Sequence, residues 1–154
     1  MLQQDTTSHP APETRATPPG PRTGGSAAIA ICHLDNYHYA STHEQLELDM
    51  AKVAGVIGAT ITADDTCTAI EPGTFMIELR HIASIDAAMD VAAAIRSAVA
   101  EPAHLAHGRG RLTISIGVTE RLQGEWLEHG RPRAERAMDY ARRAGGNRVY
   151  ALAP

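Results

Sequence analysis

Ala69-Ile70-Glu71-Pro72-Gly73-Thr74-Phe75-Met76-Ile77-Glu78-Leu79 holds the fold in outline. Apolar, strand-forming runs flank Glu71-Pro72-Gly73, and Pro-Gly is a turn dipeptide, so residues 66–70 and 74–80 are predicted as the two strands of a hairpin. Upstream, Ser41-Thr42-His43-Glu44 has the Ser-x-x-Glu form of a capping box. Leu46, Met50, Val53 and Ile57 then recur at helical spacing, and Gly58 is a stop signal. Ahead of that helix, Ala27 to Leu34 is a continuous apolar run of strand length, the pattern of a strand covered on both faces. Downstream, Ser84 is placed to cap a helix whose buried stripe is Ile85, Met89, Ala92, Ile95 and Val99. Residues 101–110, rich in Pro, His and Gly, read as a loop, and Leu112–Val118 as a strand. A helix near 132–144 ends at Gly145-Gly146, and Arg148–Leu152 is the last strand. The order β-α-β-β-α-β-α-β predicts an α+β domain: a ferredoxin-like βαββαβ core, antiparallel and carrying helices, extended by a further helix and strand.

The chain has 154 residues, room for one domain and a tail. Residues 1–26 hold most of the prolines and almost no large apolar side chains, so this segment is predicted to be a disordered tail and 27–154 the domain. No apolar run approaches a membrane span or a signal peptide, which predicts a cytoplasmic protein with no membrane partner. A formal charge of -4 argues against a general nucleic-acid binder. Arginines crowd residues 131–148, and Arg136 and Arg143 share a helix face. Tyr140 and Tyr150 stand apart from other aromatics, so a solvated basic face is the expectation there. Cys32 and Cys67 lack metal-site spacing and read as reduced, buried thiols. His33, His38 and His43 are spaced by five, which does not place ligands on one face of a strand; no metal or other cofactor is expected.

Two stretches beyond the hairpin carry a resemblance to a known family. Leu112-Thr113-Ile114-Ser115-Ile116-Gly117-Val118 resembles one strand motif of the GGDEF domain, the bacterial domain that makes cyclic di-GMP from two GTP molecules. Ala134-Glu135-Arg136-Ala137-Met138-Asp139-Tyr140-Ala141-Arg142-Arg143-Ala144-Gly145-Gly146-Asn147-Arg148-Val149 resembles that family's closing motif. The resemblance spans roughly residues 27–152 and implies the same βαββαβ-based fold. In that frame the signature Gly-Gly-Asp/Glu-Glu-Phe falls on Glu71, Pro72, Gly73, Thr74 and Phe75, and only the phenylalanine is kept.

The reaction such a domain performs needs carboxylates to hold Mg²⁺ against the triphosphate. By resemblance, the first-strand Asp-x-Asp-x-Phe-Lys motif corresponds to His33-Leu34-Asp35-Asn36-Tyr37-His38. A metal-binding aspartate is thus replaced by His33 and a phosphate-facing lysine by His38, while Asp35 matches a residue with a structural task. The second metal carboxylate corresponds to Gly73. Glu71 and Pro72 put charge and bulk where two glycines let the hairpin approach the nucleotide. The guanine contacts correspond to Ser41 and Glu47, the closing-motif lysine to Arg142, and the inhibitory product site to Thr62 and Asp65. Threonine at the first of these lacks the charge, planar face and paired donors of arginine.

The expectation is therefore a degenerate GGDEF-like domain, not an enzyme, acting in bacterial cyclic di-GMP-related signalling through a protein partner. The alternative is a non-catalytic receptor that holds a nucleotide or cyclic di-GMP, weakly, in the remnant cleft with Arg142, His38 and backbone amides. Homodimerisation is left open.

Overall fold

The computed structural model describes residues 22, 24–37, 42–101 and 112–154. Eight elements follow in chain order: β1 (Ser26–Leu34), α1 (His43–Thr60), β2 (Thr66–Glu71), β3 (Thr74–Ile82), α2 (Ile85–Val99), β4 (Ile114–Arg121), α3 (Leu127–Arg143) and β5 (Val149–Leu152). They form one five-stranded sheet in the order β2-β3-β1-β4-β5. The first four strands pair antiparallel, and β5 is added parallel to β4. The α+β class and the extended ferredoxin-like order are those predicted.

The alternation of side chains along the strands divides the core between two faces. Ala28, Ala30, Cys32, Leu34, Phe75, Ile77, Leu79, Ile114, Ile116 and Val118 pack with Val53 and Ile57 of α1 and with Ala88, Ala92, Ile95 and Val99 of α2. Ile29 and Ile31 point the other way, onto Ala134 and Met138 of α3, with Ile70, Met76 and Leu127 around them. Strand β1 is thus buried on both faces, which is why its sequence is apolar without alternation. Each fully buried isoleucine on it contributes about 1.5–3 kcal/mol relative to exposure.

Gly117 explains how closely α3 sits. A Cβ there would lie 2.1 Å from the Ala134 carbonyl oxygen and 2.1 Å from the Met138 nitrogen, so helix backbone rests on strand backbone. Ala134, Ala137 and Ala141 continue this small-residue face along the helix, and all are fully buried.

Several boundaries differ from those predicted. Helix α1 is capped by Thr42, whose Oγ1 accepts from the Gln45 amide at 3.1 Å; Ser41 lies outside the described residues. It also continues through Gly58 to Thr60. Helix α3 begins at Leu127, five residues before Pro132, which lies inside it. Leu127 and Gly130 already pack on the sheet there, and this outweighs the amide donor that Pro132 lacks. Strand β4 is shifted toward the C-terminus, and the predicted loop at 101–110 lies almost wholly outside the described residues.

The predicted tail lies largely outside them too, at residues 1–21 and 23. Its last residues, however, belong to the domain. The Gly24 amide donates to the His81 carbonyl at 2.9 Å, and Arg22 reaches Asp65.

Candidate functional site

The ends of β1, β3 and β4 meet beside the hairpin. In the ladder His33 lies between Thr74 on one side and Ser115 on the other. His33 is buried, and its Nδ1 is 2.9 Å from the Thr74 hydroxyl. The Tyr37 ring meets the His33 ring edge-on, with centroids 5.1 Å apart. Thr74, not Gly73, is therefore the signature residue that faces the end of β1. Gly73 carries no side chain; its carbonyl accepts from the Leu34 amide at 2.8 Å. Its φ of +80° is the value a type II turn requires at its third residue, after proline at the second. A Cβ at Gly73 would also lie 3.0 Å from Tyr37 Cγ, so this aromatic ring covers the turn.

Asp35 ties three segments together. Its carboxylate accepts from the hydroxyls of Thr113 (2.8 Å) and Ser115 (2.7 Å) and from the Asn147 amide (2.8 Å). The loop between α3 and β5 reaches it through two left-handed residues, Gly146 at φ +72° and Asn147 at φ +49°. A Cβ on Gly146 would stand 3.1 Å from the carboxylate, so the glycine is what lets this loop close over Asp35.

These residues do not fit a magnesium ion. The cation takes hard oxygen ligands, mainly carboxylates, in octahedral geometry. Among the described residues, this end offers an imidazole already bonded to a hydroxyl, an Asp35 carboxylate occupied by three donors, and a Glu71 carboxylate paired with Arg131.

The other positions singled out in the sequence are dispersed. Glu71 is exposed, with its carboxylate 3.5 Å from Arg131 on α3. Arg131 also bonds Glu135 at 2.6 Å, and this bond is the main reason its guanidinium pKa is raised. Glu71 therefore pairs with a helix side chain that the sequence did not single out for it. Pro72 is exposed, and Phe75 is a core residue under α1 and α2. Arg142 is partly exposed and lies 3.7 Å from Asp139 on its own helix. Glu47 sits on the outside of α1, 3.1 Å from His43. His38 and Ser41 lie outside the described residues.

At the opposite end of β3, Thr62 and Asp65 do come together, as a closed structural unit. The Asp65 side chain is fully buried. Its Oδ2 accepts from the Thr62 amide (2.8 Å), the Thr62 hydroxyl (2.9 Å) and Arg22 Nη2 (2.8 Å). Its Oδ1 accepts from the Arg80 amide (2.7 Å) and Arg22 Nη1 (3.1 Å). Arg22 thus binds the carboxylate through both of its terminal nitrogens. A buried aspartate requires such a partner, and nothing in the sequence pattern points to this distant arginine.

Burial pushes the Cys32 thiol pKa strongly up and that of Cys67 up to about 11, so both are poor nucleophiles. Among the described residues no group of three or more His, Cys, Asp and Glu side chains is placed to hold a metal ion. Nor is any described helix long and apolar enough to cross a membrane.

No protein-family model matches the chain, and no curated protein matches it. Solved structures do. The GGDEF domain of DgcB from Caulobacter crescentus, in complex with c-di-GMP, is 21% identical with a TM-score of 0.72, covering 82% of this chain and 77% of that one. An EAL/GGDEF domain protein from M. capsulatus is 24% identical with a TM-score of 0.74, over 86% of this chain and 88% of that one. Diguanylate cyclase SiaD from Pseudomonas aeruginosa, in complex with its activator SiaC, is 22% identical with a TM-score of 0.74, over 82% of this chain and 50% of that one. The chain has the fold of GGDEF domains.

Proposed function

We propose that this chain is a degenerate GGDEF-like domain that makes no cyclic di-GMP and acts by binding a protein in a pathway linked to that messenger. One observation carries the loss of catalysis: His33, at the position matched to a metal-holding aspartate, bonds Thr74 of the hairpin instead, and Gly73 beside it has no side chain to offer. A transition state that spreads charge over phosphate oxygens gains little from an imidazole–hydroxyl pair in place of a divalent cation. Tyr37 over the turn and the Glu71–Arg131 pair further occupy the approach to the hairpin. The protein-binding half of the reading draws on the fold. SiaD is seen in complex with an activator protein, so a GGDEF domain protein is compatible with protein partners.

The test is turnover. The purified chain is incubated with GTP and Mg²⁺ or Mn²⁺, and product is followed by mass spectrometry. No cyclic di-GMP is expected. A rate within about a hundredfold of an ordinary cyclase would overturn the reading, because loss of metal-centred charge stabilisation alone is worth more than that. Gly73→Asp is expected to stay inactive, since His33 is unchanged and the new side chain would enter a left-handed turn against Tyr37.

A further inference from the structure

The parallel connection from β4 through α3 to β5 brings two tyrosines together that lie ten residues apart. Tyr140 on α3 and Tyr150 on β5 have ring centroids 6.4 Å apart at 34°, and the residues are 52% and 41% exposed. The expectation that they stand alone is corrected by the crossover. Arg136 and Arg143 lie four residues before and three after Tyr140, on the same side of the helix, and both are exposed. Neither makes an ion pair among the described residues. The carboxylates nearest in sequence are engaged elsewhere, Asp139 with Arg142 and Glu135 with Arg131. Among the described residues Arg148, also exposed, bonds the Gly146 carbonyl alone, at 3.1 Å.

This basic, aromatic patch borders an open sheet edge. Strand β5 pairs with β4 on one side and with no described strand on the other. The Arg148 carbonyl accepts from the Ile116 amide, so residues 148, 150 and 152 turn their backbone groups inward. Those of Val149 and Ala151 point out of the sheet, because backbone direction alternates along a strand. Tyr150 and Arg148 share the α3 side of the sheet, so side chains of an added strand on that side would meet the tyrosines and arginines.

We infer that this edge receives an extended, acidic segment of a partner protein as a sixth strand. The open donors and acceptors supply main-chain pairing, and three arginines without carboxylate partners among the described residues select Asp or Glu at alternate positions of the segment. Backbone pairing favours a peptide over a nucleic acid, which would use the arginines and tyrosines and ignore the strand edge. The inference rests on the protein-binding half of the reading above. Cyclase activity would refute the catalytic half and leave this surface intact, whereas failure here would leave the catalytic half untouched.

The test is selection from a random twelve-residue peptide library displayed on phage, with the full chain immobilised, followed by affinity measurement on the selected peptides. Enriched sequences are expected to carry acidic residues at alternate positions. Binding should fall by about tenfold or more with Arg136→Glu plus Arg143→Glu. It should fall similarly with Ala151→Pro, which removes an outward donor without touching the bonds to β4. Circular dichroism checks that each variant is folded, and amide exchange at residues 149–152 of the unmodified chain gives a reading independent of the variants: bound peptide should slow it. No enrichment, enrichment without the acidic alternation, or unchanged exchange on peptide binding would overturn the inference. So would a single-stranded oligonucleotide that binds more tightly than any selected peptide and is indifferent to Ala151→Pro.

Discussion

Replacing Arg22 by alanine asks whether the segment before β1 belongs to the fold. Arg22 is 18% exposed at its side chain and grips a carboxylate that is fully buried. Removing it leaves the Asp65 charge with the Thr62 and Arg80 amides and one hydroxyl, three of its five hydrogen bonds. Breaking a fully buried pair costs about 3–5 kcal/mol, and an exposed pair is worth about 0–1 kcal/mol. Because Asp65 keeps three donors and Arg22 is partly wetted, the loss should fall between, at about 2 kcal/mol. For a domain of this size that lowers the Tm by roughly 6–10 °C. Arg22→Lys keeps the charge and loses the paired fork, so it should recover part of the loss. The measurement is urea and thermal unfolding of the full chain and both variants, with Asp65→Asn closing a double-mutant cycle. Truncation supplies a second reading: removing residues 1–21 should leave the Tm nearly unchanged, and removing 1–25 should lower it at least as much as Arg22→Ala. A loss below about 0.5 kcal/mol for Arg22→Ala would refute the reasoning and return Arg22 to a solvated tail.

Gly117→Ala should destabilise the chain by about 3 kcal/mol or more, because its Cβ would enter backbone atoms of α3 at 2.1 Å, and neither strand nor helix can yield alone; a urea titration with an unchanged midpoint would contradict the close packing. The acid limb of stability should also carry a Glu125 signature. The Arg133 guanidinium bonds this carboxylate through both nitrogens and lowers its pKa to about 2, well below an unfolded glutamate near about 4.3. The stabilisation is therefore complete above that unfolded value and lost as pH falls toward about 2. Glu125→Gln should flatten the stability profile across that window, and parallel profiles for the two proteins would show that Glu125 is not held this way.

What was legible in the sequence was local. The Pro-Gly hairpin, the Ser84 cap and the apolar stripe of α2 each declare themselves within a few residues, and all three stand in the structure. The start of α1 was ambiguous for a local reason: Ser41 and Thr42 both head an S/T-x-x-E/Q pattern, and neighbouring caps cannot be told apart without the backbone. The start of α3 is not legible because its buried face, Met138 apart, is made of Gly130, Ala134, Ala137 and Ala141. Small side chains carry little hydrophobic signal, although they are what close packing on Gly117 requires. The contacts that define the candidate site and the patch are long-range. Arg22 meets Asp65 across 43 residues, and Thr113 and Ser115 meet Asp35 across 78 and 80. No periodicity encodes such pairs; the topology makes them.

The family-like positions divide by the job each does here. Phe75 fills the core, Asp35 collects three segments, Gly117 admits α3, and Gly146 and Asn147 turn the chain onto Asp35. Each of these residues is required by the fold whether or not a nucleotide is bound. On the proposed reading, the positions that depart from the pattern are those whose side chains a nucleotide or metal would meet: His33, Gly73, Thr74 and the Glu71-Pro72 pair. Two of them pair within the chain, His33 with Thr74 and Glu71 with Arg131. Such a division is the one the proposed reading, a scaffold retained for its shape, requires. It also makes the active-site reading separable from the stability reading: Asp35→Asn should lower the Tm, whereas His33→Asn, which keeps a side chain able to bond Thr74, should be far milder.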